Sequence, residues 1–276
     1  MAFKNILVAF NGTETSKSAA RLAILIAKTN DAHLTALFVQ APPNHYASIG
    51  AWLPEDTMQM LVDREIEHAR EVSAMFRDIC LAEGMDRRTN MIRTDGQANT
   101  RIVEFARTYD LVVIGQPQSD FWEGGDQAHP DTVALQSGRP VMIAPPDFSA
   151  VSLNKGAVVA WDGKRAAARA LADSIDILRT TGPVTVVHVG DSPDAVRQPG
   201  RDVMEHLSRH GISGELRVTP RAGRKIGDIL LEACQTEGAG ILVMGAYQHS
   251  QFSEELIGGV TKDVLSKTRL PVLMSH

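Results

Sequence analysis

Short apolar runs alternate along the chain with stretches in which apolar residues recur every three or four positions. Near-continuous apolar runs are typical of strands in a parallel sheet that is covered on both faces, and the longer spacing indicates amphipathic helices. The alternation therefore predicts successive βαβ units. The predicted strands are residues 6–10, 34–39, 88–93, 111–115 and 139–144 in the first half, and 157–161, 184–189, 216–219, 240–245 and 269–274 in the second.

Helical spacing fills most of the intervals between these strands. The first helix follows Thr13 or Thr15, either of which can serve as its N-cap, and Glu14 lies in its first turn. A second, long helix is predicted over residues 55–83. The shorter predicted helices cover residues 100–109, 132–137, 199–210 and 226–237, and a further one begins with the alanine-rich segment after Lys164.

The second half of the chain repeats the first. Val8-Ala-Phe-Asn-Gly12 matches Val159-Ala-Trp-Asp-Gly163, and the fourth strand of each half ends in glycine, at Gly115 and Gly245. Self-similarity on this scale is the signature of a duplicated structural unit. We therefore predict two tandem five-stranded parallel α/β domains of Rossmann-like type, over residues 1–146 and 155–276, each large enough to bury its own core.

Composition narrows the classes of partner. The 276 residues carry a formal net charge of -5, with 43% hydrophobic and 5% aromatic residues, which gives no reason to expect nucleic acid or an anionic membrane as a partner. No run of about 18 apolar residues predicts a membrane span, and the first residues lack a signal-peptide pattern, so we expect a cytoplasmic protein. Cys80 and Cys234 lie in apolar helical patterns and are interpreted as buried thiols.

The end of the chain carries the clearest candidate for binding chemistry. A buried strand ends at Gly245, a loop follows, and Gly258 and Gly259 open a helix ahead of the last strand. Free backbone N–H groups and the helix dipole favour an anion such as phosphate at a helix N-terminus. The same glycines are also compatible with a purely structural role, in which they allow the helix to pack close to the sheet.

Several short motifs at the strand ends resemble the universal stress protein family in its tandem form. The resemblance covers nearly the whole chain and implies paired Rossmann-like domains, which in one subclass bind ATP through a Gly-x2-Gly-x9-Gly-Ser/Thr pattern. By analogy with that family, the two halves mimic a dimer in which strand five pairs with strand five. The motifs are Asp162-Gly163, His188-Val189, Val243-Met244-Gly245 and Gly258-Gly259-Val260-Thr261.

The nucleotide pattern is present here with two departures. Gly245 and Gly258 keep the spacing, but Gln248 stands where the pattern has glycine, and Gly259 stands where it has a hydroxyl residue. Gln248 adds bulk beside the expected phosphates, but its side-chain amide is also a candidate hydrogen-bond donor, and Thr261 is a candidate substitute for the missing hydroxyl. A lost hydrogen bond to a charged acceptor costs about 1.5–3 kcal/mol, or roughly ten- to a hundred-fold in affinity. The resemblance thus implies weakened binding of ATP or another adenine nucleotide.

The resemblance also implies roles for residues outside the loop. Asp162 would meet the nucleotide, Val189 would contact the base, and Met244 with Gly245 would form the floor of the site. Asp162 has a second interpretation, as a cap for the following helix. His188 lies within a predicted buried strand, so we interpret it as a hydrogen-bonded core residue rather than as a ligand-binding residue. The full predicted site is Asp162, Val189, Met244, Gly245, Gln248, Gly258, Gly259, Val260 and Thr261.

The first half lacks the corresponding pattern. Asn11 replaces the aspartate, and no glycine pair follows Gly115 at the required spacing, so we predict no nucleotide there. No catalytic triad, metal-ligand cluster or Walker-type loop occurs in the chain. We therefore predict a stress-response binding protein rather than an enzyme, with slow ATP hydrolysis left open. The alternative is a nucleotide-free interaction module that uses its strand-five edges to self-associate or to bind a protein partner.

Overall fold

The strands of both halves join into a single sheet in the computed structural model, which describes residues 3–40, 54–85, 87–117, 128–149, 151–190, 197–246 and 259–276. The ten strands lie in the order β3-β2-β1-β4-β5-β10-β9-β6-β7-β8. They are β1 (Asn5–Ala9), β2 (His33–Gln40), β3 (Thr89–Asp95), β4 (Leu111–Gly115), β5 (Val141–Ala144), β6 (Ala157–Ala160), β7 (Val184–Val189), β8 (Gly214–Thr219), β9 (Ile241–Gly245) and β10 (Val272–Ser275).

Helices cover both faces of this sheet. One buried apolar cluster includes α1, α2, α5 and α6, and the other includes α3, α4, α7 and α8. Each cluster draws side chains from both halves, so the halves share a core on each face of the sheet. The described helices are α1 (Glu14–Asn30), α2 (Glu55–Ala82), α3 (Ala98–Ala106), α4 (Pro130–Ser137), α5 (Arg165–Leu178), α6 (Arg197–Arg209), α7 (Ile226–Thr236) and α8 (Gly259–Lys267).

The two halves meet at β5 and β10. Pairing is parallel within each half, whereas β5 and β10 pair antiparallel, with Met142 opposite Leu273. The expected pairing of strand five against strand five is therefore confirmed, and it occurs within one chain. The backbone groups along this seam are already hydrogen-bonded, so the hypothesis that the strand-five edges bind a second protein is wrong. Among the described strands, β3 and β8 lie at the two ends of the sheet.

The strands of the seam are shorter than their sequences predict. β5 begins at Val141 and β10 at Val272, two or three residues later than the apolar patterns indicate. Pro140 and Pro271 precede them, and proline has no N–H to donate to a sheet ladder. Their carbonyl oxygens still accept hydrogen bonds, from Val112 N at 3.1 Å and from Leu242 N at 3.0 Å.

Chain connectivity creates a crevice in each half. The helices that follow β1 and β6 pack on one face of the sheet, and those that follow β4 and β9 pack on the other. β1 neighbours β4, and β6 neighbours β9. In each of these two pairs, the chain therefore continues from one strand to one face of the sheet and from its neighbour to the opposite face. Ligands of open α/β sheets bind at such switch points, outside the carboxyl ends of the strands.

Both cysteines are buried, as predicted. Desolvation raises the pKa of the Cys80 thiol to about 11 and that of Cys234 to about 12. We expect neither thiol to react with an aromatic disulfide reagent at pH 8 in the folded protein, and both to react once denaturant is added, because the thiolate is the nucleophile. Reaction of either thiol without denaturant, monitored by absorbance and peptide mapping, would contradict this.

The same pKa shifts affect stability at high pH. A thiol with a raised pKa in the folded state stabilises the protein fully below the ordinary thiol pKa of 9.0. That contribution is lost as the pH rises from there towards the raised values. We therefore expect the free energy of unfolding to fall between pH 9 and pH 11 in the wild type, and to fall less in a Cys80→Ala, Cys234→Ala double variant.

Candidate functional site

The carboxyl edge of the second half brings together most of the predicted site. Asp162 follows β6, Val189 ends β7, and Met244 and Gly245 end β9. Gly259 is the first residue of α8, the helix that leads to β10. Gln248 and Gly258 lie outside the described residues. The described members therefore surround the crevice between β6 and β9, as the connectivity requires.

Asp162 closes the turn that leads into α5. Its Oδ1 accepts a hydrogen bond from the backbone N–H of Lys164 at 2.9 Å, and Gly163 adopts a left-handed conformation with a φ of 73°. Lys164, not Asp162, occupies the N-cap position of α5. The first half forms the same turn, since Asn11 Oδ1 accepts from Thr13 N at 3.2 Å. Either an aspartate or an asparagine thus supports this turn, and the negative charge at Asp162 is not needed for it.

Gly245 is required by close packing between β9 and α5. A Cβ at this position would lie 2.7 Å from the backbone carbon of Ala166 and 2.7 Å from the nitrogen of Ala167. Gly115 has the same constraint in the first half, where a Cβ would lie 2.4 Å from the carbonyl oxygen of Thr15. Because both halves need this glycine for packing, it is weak evidence for a nucleotide in either of them.

The first residue of α8 has space around it among the described atoms. Gly259 is exposed, and no described atom lies within 4 Å of a Cβ built on it. Val260 packs against the apolar cluster on its face of the sheet, and Thr261 is only 3% exposed. The segment thus places its backbone at the edge and turns its larger side chains inward. A hydroxyl at position 259 would fit without displacing a described neighbour.

The remaining predicted residues shape the crevice with apolar surface. Val189 is half-buried beside the apolar cluster that includes α7 and α8, whereas Met244 is 3% exposed and belongs to that cluster. His188 is half-buried, and its Nδ1 lies 2.9 Å from the carbonyl oxygen of Trp161. This contact favours the core role for His188. Among the described residues, the buried Nε1 of Trp161 has no hydrogen-bond partner.

The charge at the start of the helix after the fourth strand differs between the halves. The first turn of α4 contains Asp131, whereas the first turn of α8 contains no acidic residue. An acidic side chain in the first turn interacts favourably with the helix dipole and competes with an external anion. Of the two equivalent helix starts, only that of α8 is therefore left without an acidic group of its own.

Sequence reasoning missed two residues at this edge. Arg165 opens α5, and one of its terminal guanidinium nitrogens lies 2.8 Å from Nε2 of His276. Nδ1 of His276 lies 2.8 Å from the carbonyl oxygen of Ala246, the residue after Gly245. The positions are far apart along the chain and match no motif, so no sequence signal could have joined them. Their proximity depends on the pairing of β9 with β10.

Metal and membrane sites receive no support within the described part of the chain. Its histidines, cysteines and carboxylates form no cluster of three that could hold a metal ion. None of the helices there is both long and apolar enough to cross a membrane.

Comparison with known proteins identifies the same duplication. The model of the universal stress protein family matches residues 2–145 and again residues 154–276. The universal stress protein Slr1230 of Synechocystis sp. is 22% identical, over 98% of this chain and 99% of its own. A universal stress protein from Archaeoglobus fulgidus superposes with a TM-score of 0.78 at 19% identity, over 98% of this chain and 95% of that chain. A putative universal stress protein from Pseudomonas aeruginosa superposes with a TM-score of 0.59 at 19% identity, over 99% and 93%.

Proposed function

Because the chain belongs to the universal stress protein family, we propose that its second half binds an adenine nucleotide (ATP, ADP or AMP) with modest affinity. The bound nucleotide would alter the conformation or the partner contacts of a cytoplasmic stress-response module. We propose no catalytic step. The domain division at residues 1–146 and 155–276 also remains a proposal.

The open start of α8 is the observation that carries this proposal. Its first turn has an exposed glycine and no acidic residue, and it lies at the switch point between β6 and β9. Backbone N–H groups at such a helix start attract phosphate. The equivalent turn of the first half contains Asp131, which agrees with the proposal that only the second half binds a nucleotide.

The other predicted residues would each contact a different part of the nucleotide. The carboxylate of Asp162 would accept hydrogen bonds from the nucleotide. Its negative charge is not needed for the turn before α5, because Asn11 supports the same turn in the first half. Val189 would contact the base, and Met244 with Gly245 would form the floor. Gln248, Gly258, Val260 and Thr261 complete the proposed set, with Thr261 as the candidate for the missing hydroxyl.

Calorimetry on protein stripped of bound ligand tests the proposal directly. We expect heat of binding with at least one of ATP, ADP and AMP, with a dissociation constant in the micromolar to millimolar range. The matched variant is Asp162→Asn, which copies the turn of the first half at Asn11. Loss of a charged hydrogen-bond acceptor should weaken binding about ten-fold or more, while the free energy of unfolding stays within about 0.5 kcal/mol. No heat with any nucleotide up to millimolar concentration would rule the function out.

A nucleotide-free interaction module remains the second candidate, with a different surface from the one the sequence indicates. The N-terminal part of α2 exposes Met60 at 72%, Val62 at 42% and Ile66 at 37%. Val62 and Ile66 are four residues apart and share one side of the helix, and neighbouring exposed apolar groups of this kind are found at protein contacts. A null calorimetry result, combined with self-association that Ile66→Lys abolishes, would favour this candidate over the first.

A further inference from the structure

The start of α5 differs chemically from its counterpart, the start of α1. In α1, Thr13 accepts a hydrogen bond from Ser16 N at 3.4 Å, and Glu14 places a carboxylate in the first turn. In α5, the N-cap residue Lys164 makes no side-chain cap bond among the described residues, and Arg165 replaces the carboxylate with a cation. The N-terminus of α1 is thus neutralised by its own residues, whereas that of α5 is left positive.

Two hydrogen bonds hold Arg165 in place. A guanidinium group can only donate, so Nε2 of His276 accepts from Arg165 at 2.8 Å. Nδ1 of His276 must then carry the proton that is donated to the carbonyl oxygen of Ala246, also at 2.8 Å. In this arrangement His276 connects the start of α5 to Ala246, the residue after β9. The charge of Arg165 is thereby positioned without being cancelled.

A buried hydroxyl points independently to a missing partner. Ser275 is 1% exposed, and its Oγ has no hydrogen-bond partner among the described residues. Ser275 pairs with Gly245 in the sheet, and side chains alternate along a strand, so it shares the face of Leu273, which is the face covered by α5. The first half has Ala144 at the equivalent ladder position. An unpaired buried hydroxyl is costly, and among the described residues Ser275 has the one buried hydroxyl without a partner, whereas the first half leaves the amide oxygens of Gln40 and Gln116 unpartnered.

The acidic group nearest in sequence carries less charge than the two cations beside it. Asp162 already accepts the N–H of Lys164, and Lys164 and Arg165 together carry two positive charges against its one. Neither of the cations belongs to a salt bridge among those found in the described residues. The start of α5 thus brings the first turn of a helix and a positioned guanidinium to the end of β10, where the hydroxyl of Ser275 is buried on the same face of the sheet.

We propose that Arg165, the first turn of α5 and Ser275 form an anion subsite that receives a phosphate group of the nucleotide, with His276 as the positioning residue for Arg165. This inference rests on the proposed function, since it assigns a second contact for the same ligand. In this proposal, a phosphate chain would contact the start of α8 at one end and the start of α5 at the other. With this subsite, the protein would bind ligands that carry phosphate groups more tightly than it binds adenosine.

The test compares ligands that share a base but differ in phosphate. Adenosine, AMP, ATP and inorganic pyrophosphate are titrated by calorimetry into the wild type and into Arg165→Gln. We expect the variant to bind ATP and pyrophosphate about ten- to a hundred-fold more weakly and adenosine within about two-fold of the wild type. Arg169→Gln is the matched control, because it removes the same charge from α5 one turn farther on, where Arg169 pairs with Asp173. It should leave binding of every ligand unchanged.

Two substitutions of His276 separate its two contacts. Gln can present an acceptor near the position of Nε2, whereas Asn can present a donor near the position of Nδ1. His276→Gln should therefore keep most of the affinity for ATP, and His276→Asn should lose it as Arg165→Gln does. Equal losses in both variants, or a loss that extends to adenosine, would mean that His276 acts only by stabilising the backbone at Ala246.

The outcomes distinguish this inference from the proposed function. If ATP binds and Arg165→Gln leaves the preference for ATP over adenosine unchanged, the subsite is wrong and the function stands. If no adenosine compound binds but pyrophosphate binds through Arg165, the subsite stands and the function is wrong. If neither pyrophosphate nor any nucleotide binds, both are overturned.

Discussion

Gly245→Ala is expected to lower the free energy of unfolding by about 3 kcal/mol or more, at the upper end of the range for overpacking. The added Cβ would lie 2.7 Å from backbone atoms of both Ala166 and Ala167. Backbone atoms of a helix cannot rotate away as a side chain can, so α5 would have to move off the sheet. Because that displacement would also break the contacts of Ala170 and Leu171 with the core, the cost extends beyond the clash itself.

Chemical denaturation monitored by circular dichroism measures this effect, with Gly259→Ala as the control. Position 259 has no described atom within 4 Å of a Cβ, so alanine there should change stability by less than about 0.5 kcal/mol. Gly115→Ala should behave like Gly245→Ala, since its Cβ would lie 2.4 Å from the oxygen of Thr15. An unfolding midpoint for Gly245→Ala equal to that of the wild type would show that α5 accommodates the methyl group.

This packing constraint changes how the nucleotide motif is interpreted. Its first glycine is present in both halves, and in both it meets a helix rather than open space. If a variant such as Gly245→Val failed to bind a nucleotide, the loss could result from disrupted packing rather than from a missing contact with the ligand. Substitutions at Asp162, Arg165 and Gly259 test binding more cleanly, because the described structure around them tolerates the change.

Gly259→Ser is expected to raise the affinity for ATP by roughly ten- to a hundred-fold, the value of one hydrogen bond to a charged acceptor. Serine restores the hydroxyl that the family pattern has at this position, and the exposed start of α8 has room for it. The new hydroxyl would lie in the first turn of the helix, where it can donate to a phosphate oxygen. Calorimetry with ATP on wild type and variant measures the gain.

Gly259→Ala separates the hydroxyl from general effects on the helix. Both substitutions add a Cβ to the first position of α8, but only serine adds a donor. If the Gly259→Ser and Gly259→Ala variants bind ATP with equal affinity, the hydroxyl makes no contact with phosphate. The family pattern then does not predict the role of position 259 in this chain. A gain confined to serine would support α8 as the phosphate-binding helix and would leave Gln248 as the remaining departure from the pattern.

Much of the fold follows from the sequence because its signals are local. Continuous apolar strands such as Leu111–Gly115 and the 3.6-residue spacing of α2 reflect burial that each segment carries in its own residues. The repeat of Val8–Gly12 at Val159–Gly163 predicts two equivalent units without any knowledge of their packing. The apolar stretches that contain Cys80 and Cys234 likewise predict that these thiols are buried, and they are.

The tertiary structure alone decided how the halves meet and what surrounds the site. The antiparallel pairing of β5 with β10 depends on two distant strand edges, which removes them as binding surfaces for another protein. The packing of Gly245 against Ala166 and the hydrogen bond between Arg165 and His276 join residues that no spacing rule connects. Local patterns determine which segments are strands and helices, whereas contacts between distant segments arise only when the sheet brings their ends together. For this chain, the sequence accounts for the α/β repeat, and the fold adds the contact between the cationic start of α5 and the end of β10.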